Sequence, residues 1–175
     1  MKSLIVFILL FGSPILAVNA SGVYQTPEAF LQEVFKGAPP APQTVWLTGE
    51  IRKAAEKILQ HKPSSLRVRY WLQGKRSGWV LEEIGKEKPI TVGVAVNDNR
   101  LEHIRVLVFR ESRGYEVRHA FFTEQFKQTR LKQDLQLDRH IDGITGATLS
   151  VRALTKLSRL ALYLHKQVVT QHDAP

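Results

Sequence analysis

The chain has 175 residues, no cysteine and a formal net charge of +9. The lack of cysteine excludes disulfides, thiolate metal sites, cysteine-ligated iron–sulfur clusters and c-type haem attachment, so a redox role would need an organic cofactor or one held by nitrogen and oxygen ligands. The six histidines show no spacing that places two imidazoles on one helical face, and no metal site is expected. Sequence motifs of serine hydrolases, P-loop proteins and Rossmann domains are also missing.

Residues 1–20 have the composition of a secretory signal peptide. Lys2 precedes an apolar run over residues 4–17, and small residues suited to cleavage follow. The run is shorter than the roughly 20 apolar residues that span a bilayer, although an uncleaved anchor stays an alternative. We therefore predict an exported protein of the bacterial periplasm.

The next segment, residues 21–87, begins with two predicted helices. Apolar residues recur at helical spacing over residues 26–37 and again over residues 49–60. Between the two helices, the proline-rich residues 38–42 indicate a stiff, extended connector.

The middle of the chain predicts antiparallel strands. A first hairpin is expected from residues 66–72 and 79–84, joined by a polar turn. A second hairpin, from residues 90–96 and 101–109, shows strict alternation around the turn at 97–99. Such alternation indicates a sheet with one buried face.

A long amphipathic helix is predicted from Leu149 onward. The residues of its apolar face are Val151, Leu154, Leu157, Leu160, Ala161, Leu164 and Val168. Its opposite face carries Arg152, Lys156, Arg159 and Lys166. The predicted fold class is α+β, an antiparallel sheet of hairpins packed with flanking helices and completed by this long C-terminal helix.

The most informative motif of the chain is the run of seven residues directly before this helix. A helix start favours phosphate because its first N–H groups have no partner inside the helix and the macrodipole is positive there. Glycines let backbone approach a ligand closely. The plain alternative is a helix N-cap made by Asp142 or Thr145. The motif reads Asp142, Gly143, Ile144, Thr145, Gly146, Ala147 and Thr148.

At these residues the chain resembles the FMN-binding domain family, which includes the covalently flavinylated subunits of sodium-pumping quinone reductases and Rnf-type electron-transfer complexes. The family pattern is Asp, two variable residues, Ser/Thr/Ala, Gly, Ala, Thr/Ser, and every fixed position is filled here. The resemblance implies an FMN-binding domain over residues 88–170, with FMN on Thr148 through a phosphoester made by a separate flavin transferase. Asp142 would help to present the motif, and the backbone at Leu149 and Ser150 would contact the phosphate.

A second, weaker part of the resemblance lies upstream. The family has a Glu-Thr-Pro-Gly-like loop after a hairpin, and this chain has Glu111-Ser112-Arg113-Gly114 there. The Glu and the Gly are kept but the Thr-Pro pair is not, so only Glu111 and Gly114 are carried over as cofactor-binding residues. Arg113 could meet a phosphate or the reduced flavin, or lie in a solvated turn.

The flavin ring requires a flat and mostly apolar cradle with a few polar groups. Nearby in the chain are Tyr115, Phe121, Phe122 and Ile144. We expect core packing for Phe121 and Phe122, because large apolar residues are usually buried. Tyr115, next to a glycine, is the predicted ring contact.

These observations lead us to expect an exported flavoprotein that relays electrons, as a carrier or subunit more than a stand-alone enzyme. Its basicity favours docking to an acidic redox protein such as a cytochrome, to a membrane quinone-linked complex, or to an anionic membrane surface.

Two alternatives remain open. One is noncovalent FMN binding, and the other is a noncatalytic basic binding module of the cell envelope. Export makes nucleic acid an unexpected partner for such a module. Its binding residues would be Arg67, Arg69, Trp71, Lys75, Arg76 and Trp79.

Overall fold

The computed structural model describes residues 22–172, and the predicted signal peptide lies outside the described residues. Within them, five strands form one antiparallel sheet in chain order. The predicted boundary between residues 87 and 88 falls between two neighbouring strands of this sheet. The strands are β1 (Gln43–Trp46), β2 (Arg67–Gln73), β3 (Arg76–Ile84), β4 (Pro89–Asn97) and β5 (Arg100–Phe109).

Four helices accompany the sheet, namely α1 (Pro27–Phe35), α2 (Gly49–Leu59), α3 (Ala120–Thr123) and α4 (Thr148–His172). Short 3₁₀ turns at Tyr115–Arg118 and Glu124–Phe126 flank α3. The α+β class, the hairpins and the long last helix are confirmed. No helix within residues 22–172 combines the length and apolarity needed to cross a membrane.

The hairpin turns are tighter than the sequence suggested. β3 begins at Arg76, because Ser77 and Gly78 pair with β2 and leave only two residues for the turn. The turn between β4 and β5 consists of Asp98 and Asn99, both with positive φ. This is the left-handed pair that a two-residue hairpin favours, and Asn and Asp tolerate it well.

One face of the sheet is covered by α1. Thr26 caps this helix, since its hydroxyl accepts a hydrogen bond from the Ala29 amide, and Pro27 follows as the first helical residue. Phe30 is fully buried against β4 at Gly93, where a built Cβ would stand 2.8 Å from the Phe30 ring. The missing side chain of Gly93 therefore lets α1 lie close to the sheet.

The other face of the sheet packs against α4, which also contacts α2. The expectation of a single buried face was therefore wrong, because helices cover both faces and residues 90–96 of β4 are all buried. The predicted apolar face is confirmed, since Leu154, Leu157 and Leu164 are fully buried or nearly so. The placement of Arg159 on the polar face was wrong. Its guanidinium is covered by the segment before α4 and its Nε donates to the Leu135 carbonyl at 2.5 Å. Burial lowers the pKa of Arg159.

A buried polar cluster joins the second half of α4 to the sheet. His165 is fully buried, and its Nδ1 is hydrogen-bonded to the Ser77 hydroxyl at 2.7 Å. The Trp79 indole N–H donates to the same hydroxyl at 2.7 Å. Burial lowers the pKa of His165 to about 4, so this imidazole is neutral near pH 7.

Candidate functional site

The functional motif ends at the first turn of α4. The Ala147 carbonyl accepts the first helical hydrogen bond, from Val151, so Ala147 is the N-cap residue and Thr148 is the first helical residue. In the turn before it, the Ala147 amide donates to the Ile144 carbonyl at 2.9 Å, and Gly146 has a φ of +82°. The interpretation of Asp142 or Thr145 as the N-cap was therefore wrong.

This helix start has no side-chain cap. Alanine offers no acceptor, and in the described part of the chain the amides of Thr148, Leu149 and Ser150 have no hydrogen-bond acceptor. Unpaired amides at the positive end of a 25-residue helix form a ready anion site. Thr148 itself is exposed, so its hydroxyl is accessible to an enzyme.

A groove of about 550 Å³ opens beside Thr148. We call it the attachment groove. It is formed where the β3–β4 turn, the loop after β5 and the start of α4 meet. Its lining residues are Lys86, Glu111, Ser112, Arg113, Gly146, Ala147, Thr148, Leu149 and Ser150.

The Glu111 carboxylate joins two of the segments that form this groove. One oxygen, Oε1, accepts hydrogen bonds from the consecutive amides of Lys86, Glu87 and Lys88, at 2.5, 2.6 and 2.9 Å. Partial burial raises the pKa of Glu111, but the three amide bonds together outweigh it, so the pKa lies below its ordinary value. Glu111 therefore holds the β3–β4 turn against the loop that follows β5.

Gly114 brings the loop after β5 onto α4. It has a φ of +86°, and a built Cβ would stand 2.7 Å from the Ser150 hydroxyl oxygen and 3.4 Å from the Ala147 Cβ. Only glycine satisfies both the backbone conformation and the space. Ser150 is buried at this contact, while its neighbour Leu149 is 41% exposed.

The remaining motif residues lie on the exposed turn before the helix. Asp142, Gly143 and Thr145 are exposed, and Ile144 is half-buried against the core. The Asp142 amide donates to the Gln125 side chain at 2.7 Å. The Asp142 carboxylate is exposed and lies 3.8 Å from the His140 Nε2.

The aromatic candidates lie in different surroundings. Tyr115 follows Gly114 but is not part of the groove lining, and its ring is 46% exposed. Phe122 is fully buried, as expected. The expectation of core packing for Phe121 was wrong, since its ring is 64% exposed. The four-residue helix α3 turns these two neighbours in opposite directions.

The basic residues of the alternative binding module do not form one surface. Trp79 is fully buried, Arg76 pairs with Glu102 at 2.8 Å and Lys75 pairs with Asp98 at 3.4 Å. A separate groove of about 670 Å³ lies between α1 and strands β1 and β2, and we call it the strand groove. The residues of the module that line it are Arg67, Arg69 and Trp71.

Lys86 is the site residue that sequence reasoning missed. It lies in the β3–β4 turn and carries no motif, yet it lines the attachment groove, with its Nζ 3.3 Å from a carboxylate oxygen of Glu87. Strand order contained the signal, because in an antiparallel sheet the β3–β4 turn and the C-terminal end of β5 lie at the same end of the strands.

Within residues 22–172, no three His, Asp or Glu side chains are placed to share a metal ion.

The chemistry of these donors fits the phosphate end of FMN. Three unpaired amides and the cations Lys86 and Arg113 surround an exposed hydroxyl. The groove volume lies within the roughly 300–1,000 Å³ typical of ligand pockets. Its apolar lining is limited to Ala147 and Leu149, so the groove suits the phosphate and polar chain of FMN more than a buried ring.

Comparison with known proteins adds an independent finding. A search of curated proteins found no match for the chain. Residues 85–163 match the family model of the FMN-binding domain, and this range contains the β3–β4 turn, the loop after β5 and the first turns of α4. The predicted family is confirmed for this segment: residues 85–163 carry an FMN-binding domain, which supports a flavin-binding protein.

Proposed function

We propose that FMN is joined covalently to Thr148 through a phosphoester, and that the protein relays electrons between redox partners outside the cytoplasm. The observation that carries the proposal is the exposed hydroxyl of Thr148 at an uncapped helix start, inside the segment that matches the FMN-binding domain.

Attachment requires access more than a catalytic pocket. A separate flavin transferase brings an activated FMN donor to the exposed turn. The Thr148 oxygen then forms a bond to phosphorus, the hydroxyl proton leaves, and the bond from phosphorus to the donor's leaving group breaks. Gly143 and Gly146 have open space around their Cα atoms, so the backbone of the turn presents little bulk to the transferase.

After attachment, the chain's own groups hold the phosphodiester. The amides of Thr148, Leu149 and Ser150 donate to its oxygens, and the helix dipole favours its negative charge. Lys86 and Arg113 add positive charge from the facing loops. Bound FMN supplies one-electron and two-electron chemistry.

A tethered cofactor suits an exported carrier. Free flavin outside the cytoplasm would have to reach concentrations above the dissociation constant to keep a reversible site filled. A covalent bond makes binding intramolecular and removes that requirement. The formal net charge of +9, which becomes +8 when Lys2 is removed with the signal peptide, supports steering toward an acidic redox protein or an anionic membrane surface.

The test is intact mass and visible absorbance after acid precipitation, on protein purified from its native host. We expect a chain that begins at Ser21, carries about 438 Da of additional mass, equal to FMN less one water, and keeps its yellow colour in the precipitate. Thr148→Ala should lose all of the acid-stable flavin, because the attachment oxygen is gone.

Two neighbouring substitutions control this test. Thr148→Ser keeps a hydroxyl at the same atom and should keep the flavin. Thr145→Ala changes an exposed threonine three residues away, at a position where the family pattern accepts alanine, and should keep it too. Flavin that is released by acid would support noncovalent binding, and colourless native protein would contradict the proposal.

A further inference from the structure

Exposed aromatic side chains gather around one arginine near the attachment groove. The Arg118 guanidinium carbon lies 4.5 Å from the centre of the Tyr24 ring and 5.7 Å from the centre of the Tyr115 ring. Both tyrosines remain more than 40% exposed. The chain then continues into His119 and Phe121, whose rings stack 6.2 Å apart. We call Tyr24, Tyr115, Arg118, His119 and Phe121 the aromatic patch.

The exposure of this patch is not explained by packing. Phe121 is 64% exposed, while the adjacent Phe122 is fully buried, so the core at this place is already filled. Val23, which bridges to β5 beside Tyr24, is also 52% exposed. Single exposed apolar residues are common, but neighbouring ones mark interaction surfaces.

The aromatic patch is connected directly to the attachment site. Gly114 contacts Ala147 and Ser150 in the first turn of α4, and the 3₁₀ turn Tyr115–Arg118 begins at the next residue. This turn also packs against α4. Leu149, 41% exposed on the same helical turn, extends the apolar surface toward Thr148.

Charge identifies the kind of partner. Arg118 lies in the patch in the same turn as Glu116, and Arg113 and Lys86 lie in the adjoining groove. The Lys86 Nζ is 3.3 Å from a carboxylate oxygen of Glu87. The three cations still exceed the two carboxylates of Glu116 and Glu87. The nearby carboxylate of Glu111 is occupied by three backbone amides, so it offers little charge to an approaching protein. A surface of aromatic rings around an arginine, with further cations in the adjoining groove, complements an acidic protein with an apolar contact area.

We propose that the aromatic patch is the docking surface for an acidic redox protein that exchanges electrons with the flavin on Thr148, an inference that rests on the proposed function. Arginine and tyrosine carry much of the binding energy at protein interfaces. Here the guanidinium already contacts the Tyr24 ring and lies near the Tyr115 ring, so less side-chain freedom is lost on docking. In each encounter one electron leaves the reduced flavin and one arrives at the metal centre of the acceptor.

The experiment uses the full flavin-loaded protein, reduced and then mixed with one of two acceptors in a stopped-flow instrument. The first acceptor is cytochrome b5, an acidic haem protein, and the second is a small neutral quinone. We expect Arg118→Glu and Phe121→Ser each to lower the second-order rate with the cytochrome by about tenfold or more, as for loss of a central interface contact. The rate with the quinone should stay within about twofold, because a small molecule needs no docking surface.

Matched controls lie at the opposite edge of the sheet, on β1 and β2. Arg67→Glu makes the same change in net charge as Arg118→Glu, and Trp46→Ser removes an exposed aromatic ring of β1 that is 58% accessible. Both controls should change the cytochrome rate by no more than about threefold, because they act only through long-range electrostatic steering.

Equal slowing by Arg118→Glu and Arg67→Glu would overturn the proposal, since it would show that only net charge matters. An unchanged cytochrome rate in both patch variants would overturn it as well. An absence of acid-stable flavin would contradict only the proposed attachment at Thr148. It would leave the docking surface testable, because the cytochrome rates of the variants can be compared in protein reconstituted with free FMN.

Discussion

The attachment groove and the strand groove are similar in size and each contains two cations, yet they differ in the backbone they offer. The strand groove has Arg67 and Arg69 on a regular strand whose amides belong to the sheet, and the carboxylate-bearing Glu28 also lines it. The attachment groove has Lys86 and Arg113, unpaired helix amides, and a carboxylate already bound by amides.

The comparison teaches that cations alone do not define a phosphate site. A guanidinium on an open strand is solvated and screened, so its attraction for an anion is weak. Backbone amides at a helix start are fixed in place, cannot turn away and add the helix dipole. The glycine and carboxylate contacts that hold this backbone are therefore as important as the charged side chains.

The largest effect should come from the contact of Gly114 with α4. Gly114→Ala combines a left-handed backbone, which costs about 1–2 kcal/mol, with a Cβ 2.7 Å from the Ser150 oxygen. We expect the free energy of unfolding in urea to fall by about 2–5 kcal/mol, counting about 1–3 kcal/mol for overpacking. Flavin loading should fall with it.

Gly74→Ala is the matched control for this change. Gly74 also has a positive φ, of +56°, but nothing lies within 4 Å of its built Cβ. Its cost should be about 1 kcal/mol, with flavin loading unchanged. Equal losses at the two glycines would mean that the packing of the loop on α4 contributes nothing.

An intermediate effect is expected at Glu111. Glu111→Gln keeps an acceptor oxygen but loses the charge, and the free energy of unfolding at pH 7 should fall by about 1 kcal/mol because hydrogen bonds to charged groups are the stronger ones. The folded-state pKa lies below the ordinary value of 4.5. The charge therefore stabilises the fold fully above about pH 5, and this stabilisation is lost as the pH falls through the folded-state pKa.

The measurement for Glu111 is urea unfolding of wild type and variant at pH 7 and at pH 3. The difference in free energy of unfolding between wild type and variant should be about 1 kcal/mol at pH 7 and smaller at pH 3. A difference that grows as the pH falls would contradict the assignment of the three amide bonds to an ionised carboxylate.

The smallest effect should come from the cations themselves. The double variant Lys86→Gln and Arg113→Gln should slow flavin attachment by the transferase about twofold to fivefold, as expected for exposed charges worth less than about 1 kcal/mol each. The double variant Arg67→Gln and Arg69→Gln changes the net charge equally and should leave the rate unchanged. A similar slowing by both would indicate general electrostatics in place of a local site.

Much of the fold could be predicted because the relevant patterns are long. Helical periodicity from Val151 to Val168 indicated α4, which spans 25 residues, and strict alternation indicated the hairpin of β4 and β5. β1 was not predicted, because four residues after a proline-rich segment are too few for a pattern. The burial of Arg159 depends on the irregular chain around Leu135, which has no period at all.

The site could be predicted where chemistry is local in sequence. Thr148 was singled out because its motif fits the family pattern and directly precedes a helix, and its role in attachment stays a prediction. The role of Glu111 could not be derived in the same way, since its partners are amides 23 to 25 residues away, and amides exist at nearly every position. Phe121 and Phe122 are neighbours in a helix of four residues, too short for periodicity to separate inside from outside.

The length and direction of α4 have a practical consequence for handling the protein. With 25 residues and about 1.5 Å of rise per residue, the helix is about 37 Å long, and Thr148 lies at one end with His172 at the other. With FMN on Thr148, as proposed, an affinity tag or a surface linker placed after His172 would stay clear of the transferase and of the flavin. On an electrode, the same linker would hold the cofactor away from the metal, whereas a linker at an exposed residue of the aromatic patch would bring it close.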